Sequence, residues 1–150
     1  MKITCSKLTD LSPIEVTKLY QARIQVFVVE QNCPYAEIDQ WDYQGLHLCF
    51  WSESGEVLAY SRIIQKESYI TFGRVLVANA GRGRGLGRKL VLKVLEKIQE
   101  INSEQLVKIS AQTYLKNFYQ SFGFHTISES YLEDGISHVD MVRNHPESDC

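Results

Sequence analysis

The chain has 150 residues, of which 44% are hydrophobic and 23% charged, and its net charge is −2. These values are typical of one globular domain. No stretch reaches the roughly 18 to 20 apolar residues of a membrane-spanning helix, and no membrane partner is expected. The first ten residues, MKITCSKLTD, lack the apolar core of a secretory signal. We therefore expect a cytoplasmic protein with one domain, residues 1–144, and a polar tail, 145–150.

The small net charge conceals two segregated runs of charge. Between Arg23 and Arg62 there is no lysine or arginine, whereas this stretch contains six acidic residues. Residues 74–97 show the opposite bias, with seven basic residues against Glu96 alone. Each run is explained by a solvated surface, or by a protein that holds an anionic partner on one element and a cationic partner on another.

The first predicted elements are a short strand, ITCSKL, and a helix. Ser12 is a typical N-cap, Pro13 suits the first helical position, and Glu15 completes a capping box. Apolar residues at helical spacing then predict a buried stripe. Its members are Val16, Leu19, Tyr20, Ile24, Phe27 and Val28. The acidic loop that follows, residues 31–45, is predicted to be irregular with about one helical turn.

Three predicted strands come next and form a meander. LHLCFW and VLAYSRIIQ are predicted to pair as a hairpin around SESGE, and SYITFGRVLVA is the third strand. A glycine-rich turn then leads into the longest predicted helix, roughly Leu86–Ile101. Its predicted apolar face consists of Leu90, Val91, Val94, Leu95 and Ile98.

The remaining predicted elements complete one sheet. LVKISAQ is a strand, YLKNFYQSF a short helix, and FHTISESYL and SHVDMV are two closing strands around the turn EDG. This order of strands and helices predicts an α+β fold, in which helices pack on a mostly antiparallel sheet of six to seven strands.

The turn GRGRGLGRKL, residues 81–90, is the motif that points most directly to a function. It does not fit GxGxxG, whose last glycine falls on Leu86 or Arg88, nor the phosphate-binding loop GxxxxGK[ST]. Glycines at 83, 85 and 87 would let backbone N–H groups close on a pyrophosphate at the helix N-terminus. A solvated turn without a ligand is the alternative.

Two motifs in the second half resemble those of the Gcn5-related N-acetyltransferase (GNAT) superfamily. GRVLVANAGRGRGLGRKLV is similar to its acetyl-coenzyme A signature, [Q/R]xxGx[G/A], through Arg82, Gly85 and Gly87. FYQSFGF, residues 118–124, is similar to the family's second motif. The stretch RIQVFVVEQNCPYAEIDQWD, with HL and YLEDGISH after it, resembles the ElaA-like branch. The resemblance extends from about residue 14 to residue 142.

This resemblance implies direct transfer of an acetyl group from acetyl-coenzyme A to a primary amine of a small molecule or peptide. It implies that the sheet is splayed next to LVKISAQ, where the backbone of Val75, Leu76 and Val77 would bind the pantetheine arm and supply an oxyanion donor. Tyr119 would protonate or hydrogen-bond the leaving thiolate, unless it only packs in the core. The further cofactor contacts implied are Arg82, Gly83, Arg84, Gly85, Leu86, Gly87, Arg88 and Gln112.

The sequence does not identify the residue that would deprotonate the amine. Many relatives carry a glutamate on the strand before the glycine turn, whereas YITFGRVLVA contains no acid. A water chain, His47 or a carboxylate of the acidic loop are the alternatives. Glu37, Asp39 and Asp42 could equally bind a cationic substrate.

Neither an acyl-cysteine intermediate nor a metal site is expected. The four cysteines form no CxxC pair, and Cys33, followed by proline, is more often inert than acylated. His125 and His138 have no ligand partner at metal spacing, so no metal is predicted.

Other functions are less well supported. Arg23, Val26 and Phe27, followed by Glu37 and Asp39, also resemble acylhomoserine-lactone synthases, which are longer chains and use acyl carriers. A coenzyme A-binding module without catalysis is a second alternative. Nucleic-acid binding is not expected at an isoelectric point near 6.1. The sequence leaves the oligomeric state open, a homodimer included.

Overall fold

The computed structural model describes residues 1–143, which form an eight-stranded mixed sheet with four α-helices. The strands are β1 (Lys2–Ser6), β2 (Leu46–Trp51), β3 (Val57–Gln65), β4 (Ile70–Val77), β5 (Val107–Gln112), β6 (His125–Thr126), β7 (Tyr131–Glu133) and β8 (Ile136–Arg143). The helices are α1 (Pro13–Ile24), α2 (Trp41–Gln44), α3 (Leu86–Ile101) and α4 (Lys116–Gln120). The predicted polar tail, 145–150, lies outside the described residues.

The strands lie in the order β1-β2-β3-β4-β5-β8-β6, and β7 pairs with β8. Every pair is antiparallel except β4 and β5, which are parallel. The pairing of β4 with β5 is limited to Ile70 and Val107, so the two strands diverge beyond this point. The predicted α+β fold with a mostly antiparallel, splayed sheet is confirmed.

The sheet has eight strands rather than six to seven because the predicted strand FHTISESYL is divided into β6 and β7. Ile127 still donates from its backbone N–H to the carbonyl of Asp140, at 2.9 Å. At the next position the Ser128 hydroxyl, rather than the backbone, accepts from the Asp140 N–H, also at 2.9 Å. The side chain thus replaces a ladder bond and ends the strand.

Helix α1 begins with the predicted capping box. The Ser12 hydroxyl accepts from the N–H of Glu15 at 3.1 Å, and the Glu15 carboxylate accepts from the N–H of Ser12 at 2.9 Å. After Ile24 the helix continues as a wider π-helical segment, Gln25–Glu30. Such segments accommodate an extra residue and are frequent at functional sites.

The buried stripe of α1 differs from the prediction in one respect. Leu19, Arg23 and Phe27, spaced four residues apart, are buried, whereas Ile24, predicted to be buried, is 39% exposed. The helix turns Arg23 inward because buried carboxylates are available to pair with it.

Two hydrophobic clusters cover opposite faces of the sheet. Helix α3 packs on one face through residues that the sequence predicted, including Leu90, Val91, Val94 and Ile98. Tyr119 and its aromatic neighbours extend this cluster beneath β5 and β8. On the other face α1 packs through Leu19 and Phe27. Within residues 1–143, no helix is both long and apolar enough to cross a bilayer.

Candidate active site

A cleft of about 540 Å³ opens where β4 and β5 diverge. Its walls are residues 71–75 of β4 and 109–112 of β5, which includes Gln112. The acidic loop closes one side, the turn between β7 and β8 closes another, and Tyr119 of α4 contributes from the opposite face of the sheet. The gap therefore connects the two faces of the sheet, and the unpaired edge of β4 is available to a ligand.

A β-bulge shapes the part of β4 that borders the cleft. Tyr60 pairs with Leu76 and Arg62 with Gly73, so that Ser61 alone opposes both Arg74 and Val75. Arg74 adopts the left-handed conformation, with φ of 51°, and the Ser61 hydroxyl donates to the carbonyl of Gly73 at 2.9 Å. Bulges of this kind redirect side chains and backbone groups near active sites.

The glycine turn leads from β4 into α3 and leaves the helix N-terminus open. Gly83 and Gly85 have φ values of 81° and 67°, in the region that favours glycine, and a Cβ at either position would meet no atom within 4 Å. Gly85 is the N-cap and provides no side-chain cap for α3. The first N–H groups of the helix therefore have no partner within it, which makes this end suitable for an anion.

The basic side chains of the turn make local contacts. Arg82 pairs with Glu30 at 2.6 Å, Arg84 donates to the carbonyl of Ala80, and Arg88 lies over the Phe122 ring at 4.8 Å. The side chain of Leu86 is buried in the core, so only its backbone can take part in the predicted cofactor contact.

Tyr119 combines a buried ring with a hydroxyl that reaches the cleft. The ring packs against Phe72, Phe118 and Phe124. No residue among 1–143 hydrogen-bonds the hydroxyl, yet it is not a buried unsatisfied group, because it borders the cleft. Burial, together with the nearby Tyr114, raises the pKa of Tyr119 above its ordinary value. The hydroxyl therefore keeps its proton at neutral pH.

Three arginines hold the acidic loop against the sheet. Arg23, fully buried, binds Glu37 at 2.7 Å and Asp42 at 2.6 Å. Arg62 of β3 binds Asp39 at 2.7 Å and Asp42 at 3.1 Å. Arg74, at the bulge, binds Glu37 at 3.0 Å. The three carboxylates that the sequence suggested for a cationic substrate are thus paired within the protein.

The pKa of Asp42 reflects this pairing. Burial alone would raise it, but the hydrogen bond from Arg23, the N–H of Asp39 and the charges of Arg23 and Arg62 lower it below the ordinary value. His47 next to it is fully buried, and its Nε2 lies 2.9 Å from the Asp42 carbonyl while its Nδ1 lies 2.6 Å from the Tyr60 hydroxyl. Burial also lowers the pKa of His47.

The structure divides the predicted substrate residues into two groups. Asp39 lines the cleft, and its side chain is 34% exposed. The side chains of Glu37 and Asp42, which belong to the acidic loop, and of His47 in β2 are buried and do not border the cleft. Their geometry suits the folding of the loop better than contact with a substrate.

Sequence reasoning missed four residues around the cleft. Arg23 had a signal, since a charged residue four positions from both Leu19 and Phe27 indicates a buried ion pair. Arg62 and Arg74 had none, because only the fold brings them to the acidic loop. His138 was considered only as a metal ligand, although it borders the cleft.

Comparison with known proteins agrees with this geometry. The acetyltransferase (GNAT) domain matches residues 9–144. The chain is 42% identical to protein ElaA of Escherichia coli over 140 residues, covering 90% of this chain and 91% of that protein. The crystal structure of E. coli ElaA superposes with a TM-score of 0.90 at 39% identity, covering 96% of this chain and all of that one.

A second solved structure is similar to a comparable degree. A crystal structure described as an acyl-CoA N-acyltransferase from Pseudomonas aeruginosa has a TM-score of 0.89 at 38% identity, covering 95% of this chain and 99% of that one. The domain match and these two relatives extend over nearly the whole chain, including the glycine turn, the divergent strands and Tyr119. The protein belongs to the GNAT acetyltransferase family, and it is an ElaA homologue.

Proposed function

We propose that this protein is an acetyl-coenzyme A-dependent N-acetyltransferase that acts on a primary amine of a small molecule or peptide. The observation that carries the proposal is the divergence of β4 and β5 between the glycine turn and Tyr119. Three features support this proposal: the unpaired backbone of β4 for the pantetheine arm, the open N-terminus of α3 for the pyrophosphate, and the Tyr119 hydroxyl as a proton donor to the thiol.

The backbone of β4 provides the contacts proposed for the donor. Val75 is part of the bulge and Leu76 and Val77 follow it. Beyond Ile70, no strand among residues 1–143 pairs with the other edge of β4. An N–H in this stretch would stabilise the negative charge that develops on the thioester oxygen. Removal of one such donor has cost about 2.7–4 kcal/mol in other enzymes.

The glycine turn supplies the proposed phosphate contacts. The N–H groups at the start of α3 point away from the helix, and the exposed side chains of Arg84 and Arg88 lie beside them. Arg82 is paired with Glu30 in this structure, and its contribution to the pyrophosphate requires that it exchange partners. Charge-assisted bonds of this type are roughly twice as strong as neutral ones.

Tyr119 is proposed to donate to the departing sulfur. Its hydroxyl has no partner among residues 1–143 and keeps its proton, because burial raises its pKa. Asp39 is the predicted substrate carboxylate that lines the cleft, and because Arg62 pairs with it in this structure, its proposed contact with a cationic amine requires that it exchange partners.

The test is mass spectrometry of a metabolite extract and a peptide library incubated with the protein and isotopically labelled acetyl-coenzyme A. We expect the label to appear in an amide, and a matched reaction with Tyr119→Phe should accumulate far less of it. Binding of acetyl-coenzyme A with no labelled product would favour a coenzyme A-binding module instead. Transfer from an acyl carrier protein but not from acetyl-coenzyme A would favour the acylhomoserine-lactone-synthase alternative.

A further inference from the structure

We propose that His138, assisted by Glu133, accepts the proton from the attacking amine, an inference that rests on the proposed function. The role needs a group that borders the cleft, has a free lone pair and can hold a proton. The strand that carries a glutamate in many relatives, β4, contains no acidic residue here.

The position of His138 follows from strand register. His138 of β8 pairs with Gln112 of β5 on one side and with Tyr131 of β7 on the other. Paired residues of antiparallel strands point to the same face of a sheet, and Gln112 and His138 both line the cleft. His138 therefore lies beside the end of β5, where the gap between the diverging strands opens toward the acidic loop.

Hydrogen bonding fixes the tautomer of His138. Its Nδ1 lies 2.7 Å from the carbonyl oxygen of Ile136. A carbonyl only accepts, so Nδ1 carries the hydrogen and the neutral ring presents its lone pair at Nε2. Tyr131 stacks on the ring, with centroids 6.2 Å apart, and holds its plane. The nitrogen that can accept a proton is therefore fixed in position.

Glu133 gives this nitrogen a partner once it is protonated. Its carboxylate lies 3.4 Å from Nε2, and its side chain is 54% exposed. An ammonium group that approaches both atoms from the cleft would be attracted by Glu133 and could donate to the lone pair of His138. Glu133 also borders the cleft.

The other candidate bases are occupied. Both nitrogens of His47 are hydrogen-bonded in the core. Glu37 and Asp42 are paired with Arg23, and Asp39 with Arg62. Proton transfer to any of these residues would break a buried contact.

The charged surroundings of His138 come from several elements. On its own hairpin it faces Glu133 and Tyr131, with Asp134 at the turn. Across the cleft the acidic loop contributes Cys33, whose thiol donates to the Asp134 carbonyl at 3.2 Å, together with Tyr35 and Asp39. Strands β3 and β4 contribute Arg62 and Arg74, which are paired with carboxylates. Lys66, directly after β3, and Tyr119 of α4 also line the cleft.

The proposed step balances in protons and bonds. The ammonium passes one proton to Nε2 of His138, and the free amine attacks the thioester carbonyl. The C–N bond forms, the C–S bond breaks, and the second proton of the nitrogen reaches the departing sulfur through Tyr119. The imidazolium, paired with Glu133, then releases its proton to solvent, so that one proton is released in each turnover.

The principal experiment compares His138→Asn with the wild type in the full chain. Asparagine can keep a donor near the Ile136 carbonyl but has no base at the position of Nε2. With the amine identified by the labelling experiment, we expect kcat to fall about 10²-fold or more, while the Kd of acetyl-coenzyme A by calorimetry stays within a few-fold. The acid limb of kcat/KM against pH should disappear, and added imidazole should restore part of the rate.

Two further variants separate catalysis from folding. His125→Asn, at an exposed position on β6, should retain wild-type kcat and pH profile. Glu133→Gln should lower kcat/KM for the amine less than His138→Asn does, because the base remains and only the attraction of the ammonium to the carboxylate is lost. If His138→Asn melts at a lower temperature than the wild type, His138→Gln is measured in its place.

A measurement without substrate tests the same proposal. In ¹⁵N-labelled protein, NMR spectra of the imidazole nitrogens, assigned with His138→Asn, should show that the neutral ring carries its hydrogen on Nδ1 and none on Nε2. The opposite tautomer, or a His138→Asn variant with wild-type kcat and an unchanged acid limb, would overturn the proposal. Absence of transfer by the wild type to any amine would count against the proposed function instead.

Discussion

Tyr119 lies at the centre of the proposed chemistry, and its ring and hydroxyl have separable roles. The ring packs on three phenylalanines, whereas the hydroxyl has no partner among residues 1–143. Tyr119→Phe should therefore leave the unfolding midpoint and the affinity for acetyl-coenzyme A almost unchanged, and lower kcat by about 10²–10⁴-fold. Measuring kcat and urea unfolding on one preparation checks this. Loss of about 1 kcal/mol of stability with normal kcat would assign the hydroxyl to the core instead.

Arg23 shows how strongly one residue can determine the stability of a loop. Replacement by methionine, which has a similar length, leaves the buried Glu37 and Asp42 with only Arg74 and Arg62 as ion-pair partners among residues 1–143. Loss of one member of a buried ion pair costs about 3–5 kcal/mol. We expect Arg23→Met to lower the free energy of unfolding in urea by an amount of this order. Lys18→Met, at the more exposed pair with Glu56, should cost less than about 1 kcal/mol.

The lowered pKa of Asp42 predicts how the stability of the fold depends on pH. Its pKa in the folded protein is lower than in the unfolded chain, despite burial, because of the contacts with Arg23, Asp39 and Arg62. A lowered carboxyl pKa stabilises the fold above the ordinary value of about 3.9, and this contribution is lost as pH falls through the folded value. Below about pH 5, the free energy of unfolding should thus fall less steeply for Asp42→Asn than for the wild type. Parallel curves from urea titrations would contradict the pairing.

At the scale of the element, the glycine turn offers a test with a matched pair of variants. Asparagine and aspartate both tolerate the left-handed conformation of Gly85, where a side chain would meet no atom within 4 Å. They differ in charge, so that only Gly85→Asp repels a phosphate. We expect Gly85→Asp to weaken acetyl-coenzyme A binding at least about tenfold more than Gly85→Asn in calorimetry. Equal affinities would place the phosphates elsewhere.

Most elements could be predicted because their signals are local. The bounds of α3, β2 and β3 coincide with the predicted ones, and the capping box of α1 formed as expected. Hydrophobic periodicity, turn residues and capping residues depend on neighbours only a few positions away. They can therefore be recognised in a single sequence. The division of β6 from β7 could not be predicted, since it depends on a Ser128 side chain that bonds a strand 12 residues away.

The site was less predictable because long-range pairing builds it. The order of motifs indicated the glycine turn, the splayed strand and Tyr119. The position of the acidic loop against the sheet depends on Arg62 and Arg74. These residues lie 23 and 37 residues along the chain from their partners Asp39 and Glu37. The roles of Glu37, Asp42 and His47 thus required knowledge of what surrounds them.

At the scale of the whole molecule, binding of the cofactor should increase the stability of the folded protein. A ligand that binds only the folded state adds about 2.7 kcal/mol when present at one hundred times its Kd. Acetyl-coenzyme A should therefore raise the melting temperature, whereas NAD and ATP, which lack a pantetheine arm for the edge of β4, should raise it far less. Equal shifts with all three in a thermal melt would contradict the proposed site.

The arginine pairs that hold the acidic loop also bear on the rate at which a substrate is captured. A loop that must become ordered around its ligand adds a slow step to association, and fixing each backbone residue costs about 1–2 kcal/mol. Here Arg23, Arg62 and Arg74 attach the loop to the sheet before any substrate arrives. Under the proposed function, we expect the amine to enter an existing opening without first having to order this loop.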